Sequence, residues 1–208
     1  MKHLFTLMLA MLLPTMAMSS AWETKYKEIE HAIKQPTFAD RVFNITKFGA
    51  NCKYKAAVNQ RAINGAINAC NKAGGGKVLI PEGTWETGAI TLKSNVNLVV
   101  SKGATLLFVF DSNLYPIVPT RWEGLDCWNL SPLIYAYNAK NIAITGGGII
   151  DGNGSNNTWW KWCGATKFGW TEGTISQKNG SSARLQKMSE DGLEMNKRKF
   201  GAKDGLRP

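Results

Sequence analysis

Cleaving a glycosidic bond by acid–base chemistry needs two carboxyl groups facing each other across it, roughly 5–9.5 Å apart. The chain has six aspartates, Asp40, Asp111, Asp126, Asp151, Asp191 and Asp204, and no two are adjacent. Glu190-Asp191 is adjacent but lies in a polar stretch, and Glu123 and Asp126 flank the Trp122–Trp128 stretch. None of these is assigned as a catalytic pair. Asp151, within Ile149-Ile150-Asp151-Gly152-Asn153-Gly154, reads as a turn residue. His3 and His31 are the only histidines. That excludes a Ser-His-Asp hydrolase with a late histidine and a His-rich zinc site. Gly74-Gly75-Gly76 joins a helix pattern to a strand pattern and lacks the Lys and Ser/Thr of a phosphate loop, so it reads as a helix stop. Cys52, Cys70, Cys127 and Cys163 form no C-x-x-C pair. They would allow up to two disulfides in an oxidising compartment, or free thiols, with Cys70 on the apolar face of a helix.

Tryptophan is the stronger chemical signal. Seven of the eight lie between Trp85 and Trp170. An exposed indole stacks on a sugar ring, and a neighbouring cation pairs with a uronate carboxylate. Thr120-Arg121-Trp122 offers both. The candidate substrate-binding residues are therefore Arg121, Trp122, Trp159 and Trp160, with no catalytic or metal-binding residue assigned and no cofactor expected. The competing reading, that these indoles cover a hydrophobic core, is preferred for Trp85 and stays open for the others. The net charge of +10, or +9 once Lys2 leaves with an export signal, suits a polyanionic partner. The basic residues are dispersed, Lys197-Arg198-Lys199 being the one tight cluster, and no nucleic-acid motif is present.

Positioning such residues requires a scaffold. Residues 1–21 read as an export signal: Lys2 and His3, the apolar run Leu4 to Leu13, then Ser19-Ser20-Ala21. The run is too short to span a bilayer. An exported protein is expected, periplasmic or extracellular, with no membrane partner. Residues 22–42 form a polar lead-in with Ile29 and Ile33 at helical spacing. Alternation predicts a strand over 43–48. Ala62, Ile63, Ala66, Ile67, Ala69 and Cys70 then predict a helix. From residue 77, short apolar runs alternate with Gly, Asn and Ser corners. Strands are predicted near Val78–Ile80, Ala89–Leu92, Val96–Val100, Thr105–Val109, Leu133–Tyr137, Ile142–Thr145 and Ile149–Ile150. Asn95-Val96-Asn97-Leu98-Val99 resembles Asn141-Ile142-Ala143-Ile144-Thr145, 46 residues on. Such a repeat marks a solenoid, with Val96, Leu98, Val100, Ile142 and Ile144 pointing inward. Residues 152–208 are poor in aliphatics and read as a long excursion rather than a second core.

Phe43-Asn44-Ile45-Thr46-Lys47-Phe48-Gly49-Ala50, Gly74 to Thr84, Leu92-Lys93-Ser94-Asn95-Val96, Gly103-Ala104-Thr105-Leu106, Thr120-Arg121-Trp122-Glu123-Gly124, Ser131-Pro132-Leu133-Ile134-Tyr135 and Gly148-Ile149-Ile150-Asp151-Gly152 together resemble the N-terminal part of the polygalacturonases, glycoside hydrolase family 28. The resemblance implies an all-β right-handed parallel β-helix with a short N-terminal helix cap, incomplete at its C-terminus. It also implies inverting hydrolysis of α-1,4 galacturonosyl bonds in pectin. Residues 43–151 would be the cap and first coils, and 152–208 the excursion and the approach to the next coil. The family's catalytic Asn-x-Asp, Asp-Asp, Gly-His-Gly and Arg-x-Lys motifs lie downstream, and none is matched here. The expectation is a monomeric, exported fragment, inactive alone, whose partner is an acidic polysaccharide and not nucleic acid. The alternative is a non-catalytic polyuronate-binding β-solenoid. A lyase on the same fold would need clustered carboxylates for calcium, and none are clustered.

Overall fold

The computed structural model describes residues 22–178 and 180–208. The expected export signal, 1–21, lies outside them. Two compact units are separated at Pro36–Thr37. In the first, residues 22–32 form helix α1, where Lys25 Nζ pairs with Glu28 at 2.8 Å and Ile29 is exposed.

The second unit, Thr37–Pro208, is a right-handed parallel β-helix. Its strands are β1 (Val42–Asn44), β2 (Gly76–Ile80), β3 (Gly83–Thr87), β4 (Ile90–Thr91), β5 (Val96–Val100), β6 (Ala104–Phe108), β7 (Ile117–Trp122), β8 (Leu125–Leu130), β9 (Ile134–Tyr135), β10 (Ala143–Gly146) and β11 (Ile149–Asp151). Three parallel sheets form its faces, in the orders β1-β2-β5-β10, β11-β6-β3 and β4-β9. Thus β2, β3 and β4 make one coil, β5, β6 and β9 the next, and β10 with β11 begin a third. The antiparallel hairpin β7–β8 interrupts the second coil.

The register sets inward residues in columns. Phe43 faces Val78, Val78 faces Leu98, and Leu98 faces Ile144. On the second face Trp85, Leu106 and Ile150 are aligned. Val78, Leu98 and Leu106 are fully buried, each contributing about 1.5–3 kcal/mol. Ile144 and Ile150, one rung further, are each 43% exposed, because no described strand stacks on β10 or β11. The 46-residue repeat is a true rung: Ala143 faces Asn97. The preceding rung is much shorter, with Lys77 facing Asn97 20 residues on, so the longer spacing is one coil plus the β7–β8 insertion. At the corner, Asn141 Nδ2 donates to Asn95 Oδ1 at 3.1 Å, both asparagines holding positive φ.

The first coil has an exposed edge that helix α2 (Ala56–Lys72) closes. Its apolar stripe, Ala62, Ile63, Ala66, Ile67 and Cys70, is buried in the solenoid core. Its polar side chains bind backbone groups of the coils it covers. Gln60 Nε2 donates to the carbonyls of Ala89 (3.0 Å) and Leu114 (2.6 Å). Asn64 donates to Ala89 O and accepts from Thr91 N, and Asn71 donates to Ser94 O. A bare edge is a template for aggregation, and this one is covered.

The strand predicted over 43–48 stops at Asn44. The Asn44 side chain accepts from Thr46 N at 3.0 Å and starts a 3₁₀ turn, Ile45–Phe48, since short amides compete with ladder bonds. The excursion 152–208 folds back on the hairpin. Its helix α3 (Ser181–Glu190) sends Leu185 into a small cluster with Cys127, Phe200 and Leu206. Lys199 makes a single parallel bridge to Trp128 of β8, with Trp128 N donating to Arg198 O and Phe200 N to Trp128 O, both 2.8 Å. Arg184 of α3 pairs with Asp204 at 2.6 Å and lies 4.6 Å over the Phe200 ring.

Gly75 holds φ +102, and a Cβ there would strike the Asn95 carbonyl. Gly124, at φ +90 in the hairpin turn, has open space around it. Gly75→Ala is expected to cost more than about 2 kcal/mol and Gly124→Ala about 1 kcal/mol. Urea denaturation followed by circular dichroism checks the order, and equal costs would contradict the corner geometry.

Candidate functional site

All six aspartates hold local structure. Asp40 pairs with Lys77 at 3.0 Å, Asp126 with Arg121 at 2.9 Å, Asp191 with Lys187 at 2.5 Å, and Asp204 with Arg184. Asp111 accepts from Asn113 N (3.0 Å) at the start of a 3₁₀ turn, and Asp151 from Asn153 N (2.7 Å) in the turn expected of it. The exposed pairs contribute little to stability. Each aspartate is thus committed to a cation or to a turn.

The β7–β8 hairpin positions the predicted aromatic–basic pair. It closes through Glu123-Gly124, at φ 45 and 90, the two-residue turn that matches strand twist. Neighbouring residues on a strand point to opposite faces. Arg121 sits opposite Asp126, and its exposed guanidinium donates to that carboxylate. Trp122 is half-buried on the other side, against the cluster of Cys127, Leu185, Phe200 and Leu206.

The excursion delivers the other indoles in a 3₁₀ segment, Trp159–Cys163. Trp159 is 7% exposed and meets Tyr115, Phe110 and Trp162 edge-to-face, with centroids 4.6–5.5 Å apart. Its indole N–H is buried without an acceptor among the described residues. Trp160, the next residue, is 48% exposed. Trp85 lies in the solenoid core, its N–H donating to Pro81 O at 2.7 Å.

Trp122, Trp159 and Trp160 line one groove of about 310 Å³, together with Glu123, Leu133 and Arg207. Arg121 does not line it. The cation there is Arg207, which sequence reasoning did not single out. It stands 85 residues from Trp122, and only the return of the excursion joins them. Asn129 of β8 fixes it in place, its Nδ2 donating to the carbonyls of Leu206 (3.2 Å) and Arg207 (3.4 Å). A second pocket of about 160 Å³ shares Trp160 and Arg207 and adds Cys163 and Phe168. A larger concavity, about 590 Å³, holds Asp111 and Lys161. There Asp111 is engaged by Asn113, and Lys161 Nζ lies 4.9 Å over the Phe110 ring. The aromatic groove is therefore the better candidate for binding an acidic sugar.

All four cysteines are free, Cys70 and Cys127 buried, Cys52 exposed and Cys163 half-buried. Burial pushes the Cys70 thiol up. Burial first, and then the Asp126 charge, does the same for Cys127. A raised thiol is a poor nucleophile. Ellman's reagent is expected to titrate two thiols in the native protein and four in denaturant, and fast native reaction of all four would contradict this packing.

No protein-family model matches the chain. It is 36% identical to an exo-poly-α-D-galacturonosidase of Dickeya chrysanthemi over 126 residues, 57% of this chain and 20% of the relative. It is 31% identical to a probable polygalacturonase of Vitis vinifera over 113 residues, 50% of this chain and 23% of the relative. Among solved structures, a hyperthermoactive exopolygalacturonase from Thermotoga maritima superposes with a TM-score of 0.81 at 39% identity, covering 88% of this chain and 40% of that one. The chain thus spans about a fifth of the curated relatives it matches.

Proposed function

We propose, from this partial likeness to the polygalacturonases, that the chain is the N-terminal cap and first coils of an exported, pectin-degrading glycoside hydrolase acting on α-1,4 galacturonosyl bonds with inversion. The observation that carries the reading is the superposition of 88% of the chain, at 39% identity, on an exopolygalacturonase β-helix. On this reading the chain is a monomer periplasmic or extracellular in location, its partner is an acidic polysaccharide, and neither nucleic acid nor membrane is involved.

The proposal assigns this chain no turnover of its own. Inversion needs a general acid and a general base roughly 6.5–9.5 Å apart with a water between them. Each aspartate is held by a cation or a turn, and Glu123 is the acidic side chain that lines the groove. The groove favours a second reading, a polyuronate-binding β-solenoid without catalysis, because its indoles and guanidinium suit an acidic sugar. Both readings share the ligand. They differ in whether catalytic coils complete the protein.

Reducing-sugar release from polygalacturonate by the purified 208-residue chain is expected to stay at the level of the blank. Release above the blank that scales with protein concentration would overturn the inactive-fragment reading.

A further inference from the structure

We infer that Arg207 is the carboxylate-binding residue of a uronate subsite in which Trp160 supplies the stacking face. The inference rests on the polyuronate reading above and names the residues that carry it.

Trp160 and Arg207 line both the 310 Å³ groove and the 160 Å³ pocket, so the two concavities adjoin at this pair. Trp160 is 48% exposed, while Trp159 and Trp162 on the same 3₁₀ segment are buried at 7% and 6%. Its ring is nonetheless held. Phe168 meets it edge-on at 6.2 Å, and Gly154 packs so close that a Cβ would stand 2.8 Å from the indole nitrogen. An indole fixed on one side and open on the other offers a sugar a stacking face with little ordering cost on binding.

Arg207 supplies what a neutral sugar would not require. It is half-buried, with its backbone tied to Asn129 and its neighbour Leu206 fully buried. Among the described residues its guanidinium has no ion-pair partner, whereas Arg121 and Arg184 are engaged by Asp126 and Asp204. A planar fork without a counter-ion matches a carboxylate in bidentate geometry. Glu123 is the acidic side chain of the groove, and it sits exposed at the hairpin tip, where solvent and salt screen it more than they screen a half-buried cation. A neutral hexose would use the indole and leave the guanidinium unpaired. A uronate uses both.

The test is calorimetric titration of the full 208-residue chain with trigalacturonate and with its fully methyl-esterified counterpart, each variant first matched to wild type by circular dichroism. The wild type is expected to bind the acid about tenfold or more tightly than the ester. Arg207→Gln removes that preference and leaves ester binding within about twofold. Arg207→Lys keeps a weaker preference for the acid, and so shows that the position and not the fold is being read. Trp160→Ala weakens both ligands, and Arg121→Ala changes neither. A preference for the acid that survives Arg207→Gln, or is lost in Arg121→Ala, overturns the subsite and leaves the polyuronate reading standing. A folded wild type that binds neither ligand overturns both.

Discussion

No coil of this protein can bury its own apolar face; the next coil has to do it. Leu98 is fully buried because Val78 lies below it and Ile144 above, in parallel ladders that leave no freedom of register. Slipping a strand by one residue would turn Leu98 outward and Asn97 or Val99 inward. The corner residues enforce the same registry. Asn95 and Asn141 hydrogen-bond to each other at successive corners, and Gly75 leaves room for the Asn95 carbonyl. Everything displayed at the surface, including the groove, hangs from this stack.

The two ends of the stack are treated differently. At the first coil, α2 supplies both an apolar stripe and a row of amides, so the side chains of Gln60, Asn64 and Asn71 stand in for the strand that is not there. At the last described coil, Ile144, Ile149 and Ile150 remain exposed. The excursion that leaves β11 spends its apolar residues on the β7–β8 hairpin instead, through Leu185, Phe200 and Leu206. That choice creates the groove, by bringing Arg207 beside Trp122.

The stack was legible in the sequence, because period-two alternation and the 46-residue echo are local signals that survive in one chain. The α2 stripe was legible for the same reason. Other elements were not. In β3, Gly83-Thr84-Trp85-Glu86-Thr87 alternates only if Trp85 and Thr87 are both read as inward, and threonine does not announce that. Helix α3 carries Leu185 and Met188 as its apolar residues of any length, too few for a clear period. The hairpin was hidden by Pro119 within one strand and by a Glu-Gly turn in place of the usual Asn-Gly. Trp122, Trp159 and Trp160, chosen by residue type, share one groove. Arg121 was chosen by adjacency, which fails in a strand because neighbours face opposite ways. Arg207 could be found only by tertiary return.

The unequal rungs have a further consequence. Lys77 and Asn97 are 20 residues apart, Asn97 and Ala143 are 46 apart, and yet both pairs sit side by side in one sheet. The scaffold therefore measures contour along the strands and ignores what happens at a corner, provided the chain leaves and rejoins at the same place. Closing a longer loop costs only about 0.6 kcal/mol per doubling of its length. The surface of such a protein can diversify by grafting whole hairpins or excursions at corners, while the interior sequence stays under the narrow constraint of its columns. Scaffold and displayed surface are thereby separable units of change, written in different stretches of one chain.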